Sequence, residues 1–544
     1  MWSADSLRKY PSPSRRSAVL ATGGVVATSQ PLAAQAGIGV LVDGGSAVDA
    51  SIATAAALTV LEPCSNGLGS DAFALVHDGQ QLHGINGSGR WPMANEAQQY
   101  RDAGETKVPA WGWAGVTVPG AVDMWAELHA RFGKLPLDRL LAPAIHYAEN
   151  GFPLSPVVAM QWEHAHRRYS GMGIEGLQDW VPVFSPGGTP PDVGDVWASP
   201  GHARGLRALA ERGLRDFYEG EIADAVASYA ARTGGTLSAD DLASHRSEWV
   251  DPICVPYRDY EVWEIPPNGQ GIAALLALGI VSNTDAAKHT QMNPARWHLD
   301  IEAMKLAFAD SDRYVGDQHH ADVPVAELLD PAYLARRAAL ITGTASNPVH
   351  GEPASGGTVY LCAADANGQM VSFIQSNYHG FGSGVVVPSH GISLQNRGAG
   401  FTLEEGHPNE AAPGKRPRHT IIPGFLTRGG KPIGPFGVMG GEMQPQGHLQ
   451  ILSGMIDHGL NPQATLDTPR WQVDRSDTPG RTWRVRVEPE TPPQIISGLE
   501  ARGHDVVVDP IRLSMGRGQV IWRHDSGVYA AGSEPRADGS ALGI

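Results

Sequence analysis

Apolar and polar positions along the chain switch repeatedly between a spacing near 3.6 and one near 2, which predicts alternating helices and strands. No self-similarity recurs at intervals of 20–50 residues, so the chain is not a repeat array. Residues 18–27 form an apolar run that predicts a buried strand. The helix after it is expected to take Ser29 as its N-cap, with Pro31 in its first turn. A Gly44-Gly45 turn then leads into Ser46-Ala47-Val48-Asp49, a capping box in its Asp form. The box opens a helix over 47–61 that Pro63 stops. That helix is apolar on all sides, which predicts burial between layers rather than exposure on one face. A second helix is predicted over 293–309, with Leu299, Ala303 and Leu306 on one face and Ile301, Met304 and Phe308 on another.

The pattern breaks at 343–357. GTASNPVHGEPASGG is small, polar and rich in Gly, Ser and Pro, and reads as a linker. A strand is predicted immediately after it over 358–364 (TVYLCAA), then a turn at Asp365-Ala366-Asn367-Gly368 and a strand over 369–377. A linker that abuts the first residue of a strand is an unusual junction. A glycine cluster, Gly437-Val438-Met439-Gly440-Gly441, precedes a helical segment over 445–458. Backbone N–H groups at such a turn can bind an anion or a developing oxyanion.

Composition narrows the class. The 544 residues carry 41 Lys+Arg against 57 Asp+Glu, a formal charge of −16, with 42% apolar residues. That excludes disorder and disfavours nucleic acid or an anionic membrane as the main partner. No apolar run approaches the roughly 18 residues of a membrane span. Three scattered cysteines, Cys64, Cys254 and Cys362, give neither a disulfide framework nor a Cys-based zinc site. Arg15-Arg16 with the mildly apolar stretch after it mimics a twin-arginine export signal. Gly23 and Gly24 interrupt that stretch, so it is read as structure and the protein is expected in the cytoplasm. Among 21 histidines the only close pairs are His164/His166 and His319/His320. Neither has a companion at a recognised ligand spacing, so no metal and no cofactor is expected. GxxxxGK[ST], strand-following GxGxxG and GxSxG are all missing.

One ordered series of motifs carries the chemistry. Residues 43–77, LAFADSD (306–312), the Gly357-Thr358 junction, QSNYHGFGSG (375–384), APGKR (412–416) and Met439-Gly440-Gly441 together resemble the γ-glutamyltransferase family of N-terminal-nucleophile hydrolases. The resemblance runs from about residue 18 to the carboxyl end. It implies a four-layer αββα sandwich made as an inactive precursor that cuts itself before Thr358. A large piece, 1–357, and a small piece, 358–544, would then remain together as a heterodimer and one folding unit. Thr358 Oγ would attack the Gly357 carbonyl carbon, and an N→O acyl shift and hydrolysis would free the Thr358 amine. Threonine suits this because a hydroxyl is a weak nucleophile, and its own freed α-amine, titrating near pH 8, can act as its base. By the same resemblance Gly440 and Gly441 form the oxyanion hole and Ser376 orients the nucleophile.

The resemblance also assigns the pocket for a small-molecule amide to Arg90, Tyr378, Asn396, Arg397, His419 and Thr420, with water or an amine as acceptor. The chain departs from the family here. The arginine slot before Pro92 holds Ser88, and Arg90 is its candidate substitute. The Gln and Asp positions around 396–400 read Arg397 and Gly400, and the two serines after KRP read His419 and Thr420. A carboxylate lost and a guanidinium gained favour an acyl group bearing a carboxylate over a zwitterion. Two substrate readings therefore stand: γ-glutamyl transfer or hydrolysis, and a glutaryl-, cephalosporin- or oxamate-type amidohydrolase. An uncleaved, noncatalytic binding protein on the same fold is the alternative of another class. A serine hydrolase lacks an elbow motif.

Overall fold

The computed structural model describes residues 16–348, 357–476 and 482–544, together with Ser12. Two seven-stranded sheets, antiparallel between every pair of neighbours, dominate it. The first runs, in spatial order, Val19–Ala21, Tyr529–Ser533, Arg517–Arg523, Lys431–Met439, Gly424–Arg428, Tyr260–Glu264 and Ile253–Tyr257. The second runs Ser540–Gly543, Gly24–Thr28, Gly357–Asp365, Met370–Tyr378, Asp71–His77, Leu82–Gly87 and Glu248–Val250.

Side-chain alternation along these strands builds the layers, because successive residues point to opposite faces. Val25, Ala27, Phe73, Leu75, Tyr360, Cys362 and Ile374 turn inward and meet Ile265, Phe425, Met439 and Ile521 from the other sheet. Their neighbours Val26, Ala72, Ala74, Leu361, Ala363, Val371 and Phe373 turn outward onto the helices Pro31–Val42 and Ala47–Leu61. On the far side Val262, Leu426, Phe436, Val438, Val520 and Trp522 pack against Gly271–Ser282, Pro294–Tyr314 and Met443–Leu452. The result is helix, sheet, sheet, helix: the αββα sandwich. Among the described residues no helix is long and apolar enough to cross a membrane.

Ala47–Leu61 begins and ends where the capping box and Pro63 place it, and every residue in it is buried. Other elements differ from expectation for local reasons. The run 18–27 is not one strand. It splits at Gly23 and Gly24 into Val19–Ala21 and Gly24–Thr28, which join different sheets, with Gly24 at φ +153. The following helix is capped by Gln30, whose Oε1 accepts from Leu32 N and Ala33 N. Ser29 instead donates to Glu62 at 2.5 Å. Arg16 donates to the carbonyl oxygen of Gly539 at 2.6 Å, which ties that end of the run into the fold; Arg15 lies outside the described residues. The second helix extends to Tyr314, and the segment expected over 445–458 is a helix to Leu452 that widens into a π turn, Ser453–Asp457. Residues 349–356 of the linker also lie outside the described residues.

Candidate active site

The strand Gly357–Asp365 is central in its sheet, between Gly24–Thr28 and Met370–Tyr378. Its ladder to Met370–Tyr378 breaks between Gly357 and Val359, where the register shifts. Bulges of this kind re-aim a side chain. Here Thr358 is 1% exposed and its Oγ1 lies 3.0 Å from Ser376 Oγ. Ser376 Oγ accepts from Tyr378 N at 2.8 Å and from Arg397 Nη2 at 3.2 Å. Thr358 Oγ1 is within hydrogen-bond reach of the same oxygen, and either hydroxyl can be the donor.

Tyr378 holds φ +74, a left-handed conformation that is an outlier for a bulky side chain and marks stored strain. The turn aims its ring under Arg397, whose guanidinium carbon stands 4.2 Å from the ring centroid. Arg397 is fully buried and its Nη1 donates to Thr420 Oγ1 at 2.7 Å. Burial lowers its pKa to about 10, opposed by Tyr378, Asp71 and Glu442.

Behind Ser376, Asp71 is the directly opposed residue on Asp71–His77. Asp71 accepts from Gly89 N at 3.1 Å, and its other oxygen faces His419 Nε2 at 3.1 Å. His419 Nδ1 accepts from Ile421 N, so the ring proton sits on Nε2 and is donated to Asp71. Burial, then Arg397, pushes the His419 pKa well down, so the ring is neutral. Burial raises the Asp71 carboxyl to about 7 against the pull of Arg397.

Gly440 and Gly441 form the turn from Lys431–Met439 into the next helix at φ +132 and +59, which only glycine adopts without strain. Gln270 Nε2 pins this turn by donating to Gly441 O at 3.0 Å and to Thr420 O at 2.7 Å. Glu442, the next residue, is raised to about 7 by burial, with Arg418 opposing and Asp312 adding to the rise.

Thr358, Ser376, Tyr378, Arg397 and Thr420 are thus brought into one hydrogen-bonded and stacked set, with His419 held beside it on Asp71. Two expected pocket residues are not. Arg90 donates to Glu248 at 3.0 Å and to Gly414 O at 3.2 Å, beside Arg416, which also pairs with Glu248. Asn396 donates to Ala110 O at 2.8 Å and accepts from His379 N at 3.1 Å, holding the turn after Tyr378. Asp71, Glu442 and Arg418 were missed. A charged residue opening the otherwise apolar run DAFALVH was a readable signal for Asp71.

A cleft of about 1030 Å³ adjoins this set through Tyr378 and Thr420, with Arg418, Glu442 and Asp312 also on its walls. Of the histidine pairs, His319 meets Glu248 and His320 meets Asp317. Among the described residues one buried group has metal-type donors, His298, Glu302 and His504, within 4.8 Å of one another. Lys305 Nζ, 2.7 Å from Glu302 Oε1, supplies the positive charge there.

The family model for gamma-glutamyltranspeptidase matches residues 33–544. The glutathione hydrolase-like YwrD proenzyme of Bacillus subtilis is 36% identical, over 97% of this chain and 99% of that one. The oxamate amidohydrolase proenzyme of Klebsiella pneumoniae is also 36% identical, over 96% and 99%. The crystal structure of cephalosporin acylase from Bacillus halodurans superposes with a TM-score of 0.93 at 51% identity, over 99% of this chain and 98% of that one.

Proposed function

Since the chain belongs to the gamma-glutamyltranspeptidase family, we propose that it is made as a precursor, cuts itself between Gly357 and Thr358, and then works as an N-terminal threonine amidohydrolase or acyltransferase. That it is an enzyme of the hydrolase or transferase kind follows from the family and its relatives. The observation that carries the finer reading is the 3.0 Å contact between Thr358 Oγ1 and Ser376 Oγ at the bulged start of a buried strand.

In the precursor, Thr358 Oγ attacks the Gly357 carbonyl carbon. The C–N bond breaks as the ester forms, and water then hydrolyses the ester, leaving a Gly357 carboxylate and a free Thr358 amine. In the cut enzyme this amine takes the hydroxyl proton as Oγ adds to an amide carbonyl. Ser376 donates to the oxygen as charge gathers on it, and the Gly440-Gly441 turn presents N–H groups to the carbonyl oxygen. The amine half leaves with a proton, and water or an acceptor amine resolves the acyl-enzyme. The two pieces stay together because strands from both sides of the cut interleave in each sheet.

For the acyl group we favour a short chain ending in a carboxylate, without recognition of an α-amine. The loss of an acidic position near 400 and the relative named for oxamate support this, while the equally identical relative named glutathione hydrolase-like supports γ-glutamyl as the second reading. Denaturing electrophoresis of the purified protein is expected to show two fragments, the smaller starting at Thr358, and Thr358→Ala a single full-length band. A wild-type chain that stays whole and inactive would return the reading to a binding protein. A strong preference for γ-glutamyl-p-nitroanilide over glutaryl-p-nitroanilide would overturn the acyl assignment.

A further inference from the structure

Arg397, the guanidinium the sequence singles out for the substrate, is already engaged. One terminal nitrogen is on Ser376, the other on Thr420, and its plane lies over Tyr378. It organises the nucleophile. Arg418, which is on the cleft wall, is held differently. Its Nη1 pairs with Asp312 Oδ1 and its backbone N–H donates to Asn409 Oδ1 at 2.7 Å, so both stem and position are fixed. Its Nε and Nη2 are buried and have no hydrogen-bond partner. The nearest acceptor, Glu442 Oε2, stands 3.5 Å from Nη2, an ion pair without a hydrogen bond, and makes no hydrogen bond elsewhere. Leaving two buried donors of one guanidinium unpaired is costly, and Nε with Nη2 forms the edge that accepts a carboxylate through two parallel bonds.

We propose that the Nε/Nη2 edge of Arg418 is the seat for the distal carboxylate of the acyl group, with the Glu442 carboxyl beside it as a hydrogen-bond partner. The proposal rests on the amidohydrolase reading and names the residue that selects its substrate. Thr420 is two residues from Arg418 and bonded to Arg397, and Glu442 follows the Gly440-Gly441 turn. The seat therefore shares its supporting segments with the nucleophile and the oxyanion turn. Arg418 acts by binding substrate; it takes no proton in the reaction. Glu442 is raised toward neutrality by its burial, which lets it donate to the same carboxylate rather than repel it.

The test compares glutaryl-p-nitroanilide with pentanoyl-p-nitroanilide, which lacks the carboxylate, on self-cut protein. Wild type is expected to prefer the glutaryl compound in kcat/KM. Arg418→Gln should shrink that preference by at least about tenfold, the loss of one bidentate charge-assisted contact. Arg418→Lys, which keeps the charge and loses the fork, should fall between them. Two fragments on a gel report folding of each variant. Glutarate binding followed by calorimetry is independent of turnover: wild type should bind it and Arg418→Gln should not. An unchanged preference in Arg418→Gln, or no glutarate binding by wild type, overturns the proposal. Failure of the cut at Thr358 would instead count against the amidohydrolase reading.

Discussion

Removing the Ser376 hydroxyl tests the nucleophile geometry most directly. Ser376 Oγ accepts from Tyr378 N and Arg397 Nη2 and lies 3.0 Å from Thr358 Oγ1, to which it can donate as that oxygen loses its proton. That bond gains strength only as the threonine oxygen gains charge, so Ser376→Ala should lower kcat and kcat/KM together rather than raise KM. A group that shares a proton with a reacting oxygen typically contributes about 10²- to 10⁴-fold in rate. Stability should fall as well. Two buried donors, the Tyr378 N–H and an Arg397 N–H, lose their acceptor, at about 1–3 kcal/mol for each group left unsatisfied. Because the same contact serves the cut before Thr358, the fraction of chains cut should drop. Turnover of the anilide must therefore be normalised to the smaller fragment measured on the same sample. A variant that keeps kcat within tenfold of wild type, with only KM raised, would place Ser376 in substrate binding and refute the orienting role.

Two further perturbations probe the charges that burial holds in place. Asp71 titrates near 7 in the fold against about 3.9 in an unfolded chain, so the fold keeps a proton that the unfolded chain has released between those values. Its stabilising contribution is complete below pH 4 and is lost as pH rises through 7. In the uncut Thr358→Ala background, Asp71→Asn should remove up to about 1.4 kcal/mol per pH unit from the fall in denaturant stability between pH 4.5 and 6.5; identical slopes would show that Asp71 is ionised throughout. Asp457 accepts from Arg296 at 2.7 Å, Arg258 at 2.8 Å and Tyr257 at 2.6 Å, joining residues on the two sides of the proposed cut. Asp457→Ala strips a partner from the buried Arg296 and should cost about 3–5 kcal/mol, read as a lower Tm and earlier separation of the two fragments. A change below 1 kcal/mol would mean that Asp300 alone satisfies Arg296.

Where local chemistry was complete, the fold was legible. The helix 47–61 carries its own start in Ser46 and Asp49 and its own stop in Pro63, and nothing distant had to be known. The N-terminal strand was misjudged because its break depends on a distant partner. At Gly23 an added Cβ would stand 3.0 Å from the Ile544 carbonyl oxygen, so the glycine admits the end of the chain. Ser29 has the right chemistry for a cap, but Glu62, 33 residues on, takes its hydroxyl and leaves the helix end to Gln30. Both failures have one physical source: a side chain or a gap is claimed by something far away in sequence.

The site divides along the same line, and the division explains why Arg397 and Arg418 exchange roles. Thr358 and Ser376 are legible because both lie on adjacent strands joined by a short turn, so sequence spacing nearly sets their contact. A guanidinium on a loop carries no such constraint. Arg397 sits in a short 3₁₀ turn, and only the left-handed Tyr378 beneath it and Thr420 beside it decide that it faces the nucleophile. Arg418 lies between Pro417 and His419 and would read as a surface charge. It is drawn largely out of solvent because Asp312, on a helix more than 100 residues earlier, holds one of its nitrogens. Once that pair forms, the Nε/Nη2 edge makes no hydrogen bond, with only the Glu442 carboxyl 3.5 Å from Nη2, and a ligand carboxylate is the group whose shape and charge match that edge.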